Sequence, residues 1–155
     1  MPLNVRLYGY DADSGKNLEL LAEYLTQKGH NVKGFYFEHP MSDVEMVDWL
    51  KGADVVVTGM SSKNSQFELR LTEIAQFMIN IPVLWFSDAY LAFNQSAFVD
   101  SGLLPNSLAV VSEKEVDLAY QNAYDNVVAV GCLPDNKQAL EKLVEEIKFI
   151  VCIRR

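Results

Sequence analysis

The 155-residue sequence predicts an α/β protein, a mostly parallel, doubly wound sheet of five to six strands sandwiched between two layers of helices. Three observations carry that reading. Short apolar segments rich in β-branched residues alternate with helical patterns, the rhythm of right-handed βαβ crossovers. The run Val55-Val56-Val57 suits a strand covered on both faces, as a parallel sheet between helices requires. Small residues follow it, from Thr58-Gly59 through Ser61-Ser62, and a helix start at Ser65-x-x-Glu68 matches a capping box. Strand, turn and helix start together place free backbone N–H groups at the carboxyl end of a central strand, where Rossmann-like sheets bind ligands.

Taken in order, Asn4 to Tyr8 is the first strand, and Asp11 to Lys16 reads as a polar loop. Leu18, Leu21, Ala22 and Leu25 give the next helix its apolar stripe, and Gly29 ends it. Asn31 to Phe37 is the second strand, closed by His39-Pro40. Ser42-x-x-Glu45 opens a short helix that runs through Leu50 and stops at Gly52. The third strand is Asp54 to Thr58, and the helix after it shows Phe67, Leu71, Ile74 and Met78 as a sheet-facing stripe. Ile81 to Phe86 is apolar throughout, a fourth strand in which Trp85 reads as core.

An irregular segment from Ser87 to Asn106 leads into a short fifth strand, Ser107 to Val111. Ser112-x-x-Glu115 caps another helix, Asn126 to Val130 is a sixth strand, and Pro134-Asp135 opens the last helix. That helix carries Leu140, Leu143, Val144, Ile147 and Val151 on one face. No repeat or linker divides the chain, so residues 1–155 read as one domain.

Half of the residues are apolar, 22% are charged, and the formal net charge is −8. That balance argues against wide contact with nucleic-acid phosphates or anionic membranes. No apolar run approaches the roughly 20 residues that span a bilayer, and no signal peptide is visible. Cys132 and Cys152 are too few for a disulfide framework and lack C-x-x-C spacing. They read as small core residues of a protein in the reducing cytoplasm. His30 and His39 flank the second strand with no partner at metal-ligand spacing, so neither a metal nor a cofactor is expected.

The loop from Gly9 to Asn17 has the look of a phosphate loop but breaks the P-loop pattern. Five residues instead of four separate Gly9 from Gly15, Asn17 stands where Mg²⁺ needs a hydroxyl, and Asp11 and Asp13 repel phosphate. The same loop resembles the phosphate loop of flavodoxins, whose flavin stacks between aromatic loops, a role that would fall to Tyr90 or Trp85. The two acids again disfavour an FMN phosphate. A response-regulator receiver is disfavoured because its third strand ends in a phosphorylatable Asp, whereas this one ends in Thr58-Gly59. The segment Glu73 to Val83 is similar to a stretch of nucleoside deoxyribosyltransferases in which a helical Glu attacks the sugar. Against that, Glu68 reads as a capping partner and Glu73 as an exposed helix residue. Asp88, just past the fourth strand, is placed by the fold near the cleft, as a general base, a hydroxyl acceptor or a turn cap.

From about Ala53 to Pro134 the chain resembles the N-terminal half of GT-B-type glycosyltransferases and their epimerase-like relatives in surface-carbohydrate synthesis. The matching features are Ala53-Asp54, Thr58-Gly59 with Ser61-Ser62, Glu68, Ile81-Pro82, Asp88, Leu104-Pro105, Val111, and Val130-Gly131 with Pro134. The resemblance implies the acceptor-side domain, which binds a sugar or nucleotide moiety and needs a partner subunit for the donor site. The expected small-molecule ligand would then contact Gly9, Asp11, Ser14, Gly59, Ser61, Ser62 and Asn64, with Glu68 and Asp88 as catalytic candidates. Two alternatives stand beside it. One is a self-sufficient enzyme acting on an N-glycosidic bond, and the other is a flavodoxin-like or non-catalytic interaction module. Phe149, Ile150, Val151 and Ile153 make the end of the last helix more apolar than one stripe requires, which points to a partner subunit or a homo-oligomer.

Overall fold

The computed structural model describes residues 2–154. Six strands alternate with helices: β1 (Asn4–Tyr8), α1 (Ala12–Gln27), β2 (Asn31–Phe35), α2 (Asp43–Leu50), β3 (Val55–Gly59), α3 (Gln66–Ile74), β4 (Val83–Phe86), α4 (Ser96–Val99), β5 (Ser107–Val110), α5 (Glu113–Gln121), β6 (Val127–Ala129) and α6 (Lys137–Arg154). A π-turn at Ala75–Ile79 extends α3, and a 3₁₀ turn at Ala92–Asn94 precedes α4. All pairings are parallel, in the order β2-β1-β3-β4-β5-β6. The predicted three-layer sandwich is therefore correct. The strand order reverses at β1, so the switch-point crevice opens between the loops that follow β1 and β3.

The three valines of β3 explain why it is central. Val55 and Val57 pack with α1 and α6 on one face, and Val56 packs with α2 and α3 on the other. All three are completely buried, so the period-two alternation serves two cores. Trp85 is core as expected, and its indole N–H donates to the Thr72 hydroxyl at 2.8 Å. Leu143, Val144, Ile147 and Val151 are buried as the stripe of α6 predicts. The Ser42–Glu45 capping box forms in both directions.

Several expectations change. The stretch from Asp11 to Lys16 is not a loop, because Asp11 takes an extended conformation and α1 starts at Ala12. Gly15 lies in the first turn of that helix, where an added Cβ would meet the Tyr36 carbonyl oxygen at 1.5 Å, so only glycine lets α1 approach the segment after β2. β2 ends at Phe35 rather than Phe37, and β4 begins at Val83 rather than Ile81. β6 is three residues long. Ser65 adopts helical angles and makes no side-chain cap, so the predicted box at α3 does not form. Both cysteines are exposed thiols, in the β6–α6 connection and the last turn of α6.

Met78 is exposed rather than sheet-facing, and the cause is the π-turn. Its hydrogen bonds run from residue i to i+5, so the residue that follows Ile74 onto the core is Ile79, not Met78. Phe77 (72% exposed) and Met78 (64%) turn outward together. Among the described residues, no helix is long and apolar enough to cross a membrane.

Candidate functional site

Seven of the candidate residues converge where the sheet order reverses. Gly9, Asp11 and Ser14 come from the end of β1 and the start of α1, and Gly59, Ser61 and Ser62 from the end of β3 and its loop. Glu68 comes from the first turn of α3 and is completely buried. One oxygen of its carboxyl accepts the Ser61 N–H at 2.7 Å. The other accepts the Ser61 hydroxyl at 2.9 Å and the Tyr10 N–H at 3.4 Å. Glu68 is thus the partner of the loops above it rather than a cap for its own helix.

Asp11 continues the network. Its N–H donates to Ser61 Oγ at 2.9 Å, while its carboxylate accepts the Ser62 N–H at 2.7 Å and the Ser62 hydroxyl at 3.1 Å. Gly59 gives Ser14 its place, since a Cβ there would stand 2.6 Å from the Ser14 Cβ. The Tyr10 ring stacks on Phe67 with centroids 5.2 Å apart. The crevice is therefore filled by the chain's own side chains. Asn64 lies at the exposed tip of the β3–α3 turn in a left-handed conformation, outside the network.

Burial pushes the Glu68 carboxyl up to about 8; the bonds from Ser61 and Tyr10 oppose that shift and the charge of Asp11 adds to it. Burial also raises the phenol of Tyr8, with Glu68 contributing, and that phenol donates to the His39 carbonyl at 2.6 Å.

Asp88 stands apart from this network, past the end of β4 on the α1 side. It accepts a hydrogen bond from Asn17 Nδ2 at 2.6 Å and lines a cleft of about 590 Å³ with Asp13, Lys16, Leu133 and Pro134. Burial raises its carboxyl, the Asn17 bond opposes, and Asp13 and Asp11 add to the rise. Asn17, set aside in the sequence as a failed magnesium ligand, is thus what holds Asp88. Glu73 pairs with Arg70, which also bridges to Asp43, and takes no part in either cleft. A separate depression of about 620 Å³ lies at the amino-terminal rim beside Tyr24, Lys28 and His30. His30 there is occupied structurally, accepting the Leu3 N–H at 3.0 Å.

Residues outside the sequence-predicted site form a third feature. Val44 on α2 (79% exposed) and Met78 line a groove of about 490 Å³ together with Val47, and Asp43, Glu45, Asp48 and Lys51 edge it. Val44 was legible as an apolar residue inside the capping box. Met78 was not, because the π-turn carries no sequence signature.

No family model matches the sequence, and no curated protein does. Solved structures do. The signal receiver domain of a Vibrio parahaemolyticus protein described as a Luxo repressor superposes with a TM-score of 0.51 at 12% identity, over 99% of this chain and 93% of that one. A Burkholderia pseudomallei protein described as pilus assembly-related gives 0.51 at 12% identity, over 96% and 90%. At this identity the likeness establishes the fold, a flavodoxin-like sheet of the receiver type. It overturns the GT-B resemblance and with it the acceptor-half reading, because the frame this chain shares over 99% of its length is that of a signal receiver domain and not of a glycosyltransferase domain. The Asp-strand-Gly and Ile-Pro features behind that resemblance belong to doubly wound sheets in general.

Proposed function

We propose that this chain is a non-catalytic protein-interaction module on a receiver-like frame. The observation that carries the reading is the apolar groove between α2 and the π-turn, with Val44 and Met78 both more than half exposed. Exposed apolar side chains gathered on one face and rimmed by polar ones mark interaction surfaces, and π-turns recur at functional positions. Two further features support it. β3 ends in Thr58-Gly59 where a receiver presents its phosphate acceptor, and the switch-point crevice is occupied by Glu68.

The acidic edge of the groove and the net charge of −8 select the partner's chemistry: an apolar segment flanked by Lys or Arg. The exposed Cys132 and Cys152 suit a reducing compartment. The test has two arms. Incubation with acetyl phosphate and Mg²⁺ is expected to leave the intact mass unchanged, and a gain of one phosphoryl group would overturn the reading. Quantitative cross-linking in the native extract is expected to join the wild-type chain to a protein with a basic, apolar segment, and Val44→Ser/Met78→Lys is expected to lose that product. Equal cross-linking by both forms would sink the assignment of the face.

A further inference from the structure

The apolar end of α6 has the chemistry that the groove between α2 and the π-turn selects. Leu143, Ile147 and Ile150 turn the buried face of α6 toward the sheet. Phe149 (50% exposed), Cys152 and Ile153 (63%) stand on its outer face, at spacings of three and four residues that put them side by side. Lys142 and Lys148 are exposed on the same helix, and the sequence runs on into Arg154-Arg155. Glu146 accepts hydrogen bonds from Ser107 and Asn126, which leaves Glu145 as the exposed acid of that stretch. A chain of net charge −8 thus presents an apolar strip among bases. The groove has the opposite pattern: Val44, Val47 and Met78 inside it, with Asp43, Glu45 and Asp48 against Lys51 at its edge.

We propose that this outer face is the groove's occupant: the end of α6 from one copy of the chain lies in the groove between α2 and the π-turn of the next. The inference rests on the reading of that groove as an interaction surface and names its partner. An amphipathic helix that lays apolar anchors at i, i+3 and i+4 into a groove is a recurrent mode of recognition, and the anchors here are Phe149, Cys152 and Ile153. Bases beside those anchors meet the acids on the groove's edge, a local match that opposes the repulsion between two acidic chains. A chain cannot fill its own groove, because α2 and the π-turn pack on one layer of the sheet and α6 on the other. The contact is therefore head-to-tail. Each pair of copies leaves one groove and one α6 end free, so further copies add in series.

Sedimentation velocity at concentrations up to about 1 mM tests this. The wild-type mass is expected to climb with concentration from the 17.5 kDa of one chain to beyond that of a pair. Met78→Lys in the groove and Phe149→Lys on α6 should each hold it at one chain. Mixed in equal amounts, those two variants should associate again and stop at a pair, since one brings an intact α6 end and the other an intact groove. Should Phe149→Lys fail to fold, Ile153→Lys takes its place. A wild-type chain that stays single throughout, association that survives in the α6 variant, or a mixture that stays single would overturn the proposal. The groove itself is judged apart from its occupant: loss of the cross-linked product in Val44→Ser/Met78→Lys, with no self-association of the wild type, leaves the groove to a different protein and refutes the α6 contact alone.

Discussion

Thr58 completes β3 with a hydroxyl that is wholly buried and finds no hydrogen-bond partner among the described residues. An unpaired buried hydroxyl carries its desolvation cost without return. Thr58→Val keeps the shape and removes the group, so it should raise stability by about 1 kcal/mol in urea denaturation. A loss of stability would mean that the hydroxyl has a partner. Glu68 makes the complementary case through pH. Its carboxyl lies at about 8 in the folded chain against an ordinary 4.5. The folded state thus binds the extra proton between those values, and the associated stability is full below about 4.5 and is lost as pH rises through about 8. Thermal melts should record a falling midpoint over that interval in the wild-type chain, with a shallower slope in Glu68→Gln. Neither behaviour was legible in the sequence. Ser65-x-x-Glu68 fits a capping box, and what diverts Glu68 is the loop from Gly59 to Ser61 folding back over α3, a tertiary event that a local pattern does not encode.

At the level of elements, α3 and its π-turn decide which side chains are core and which are surface. A regular helix through residue 78 would bury Met78 beside Ile74; the π-turn buries Ala75 and brings Ile79 onto the core instead. The two registers predict opposite outcomes for two substitutions. Met78→Lys should change stability by no more than about 0.5 kcal/mol, as exposed positions do, whereas Ile74→Ala should cost about 3 kcal/mol. A severe loss in Met78→Lys would restore the regular helix. Elements whose signals are local were readable in advance. The reciprocal Ser42–Glu45 bonds form, and Ser112 donates both its N–H and its hydroxyl to Glu115. The cysteines were misplaced for a different reason: small apolar character does not say which side of a helix end or loop faces water.

For the whole molecule, alternation and the Val55–Val57 run were enough to specify a parallel sandwich, because burial on two faces leaves a strand little else to be. The glycosyltransferase likeness failed at this scale because its markers are small residues that the geometry of any such sheet demands. The sequence argued against a receiver on one position, Thr58-Gly59, yet the chain superposes on a receiver domain, so that position did not decide the frame. Frame and reaction are separable. The outer margin of β2 carries a last consequence. Its unpaired side belongs to a five-residue ribbon in which Asn31 and Lys33 are exposed and Gly34 interrupts the run of bulky side chains. A lysine and a glycine on such a margin discourage a stranger's backbone from zipping on. The protein should therefore tolerate crowded solutions without growing fibrils, and its associations are steered away from that border toward the helices.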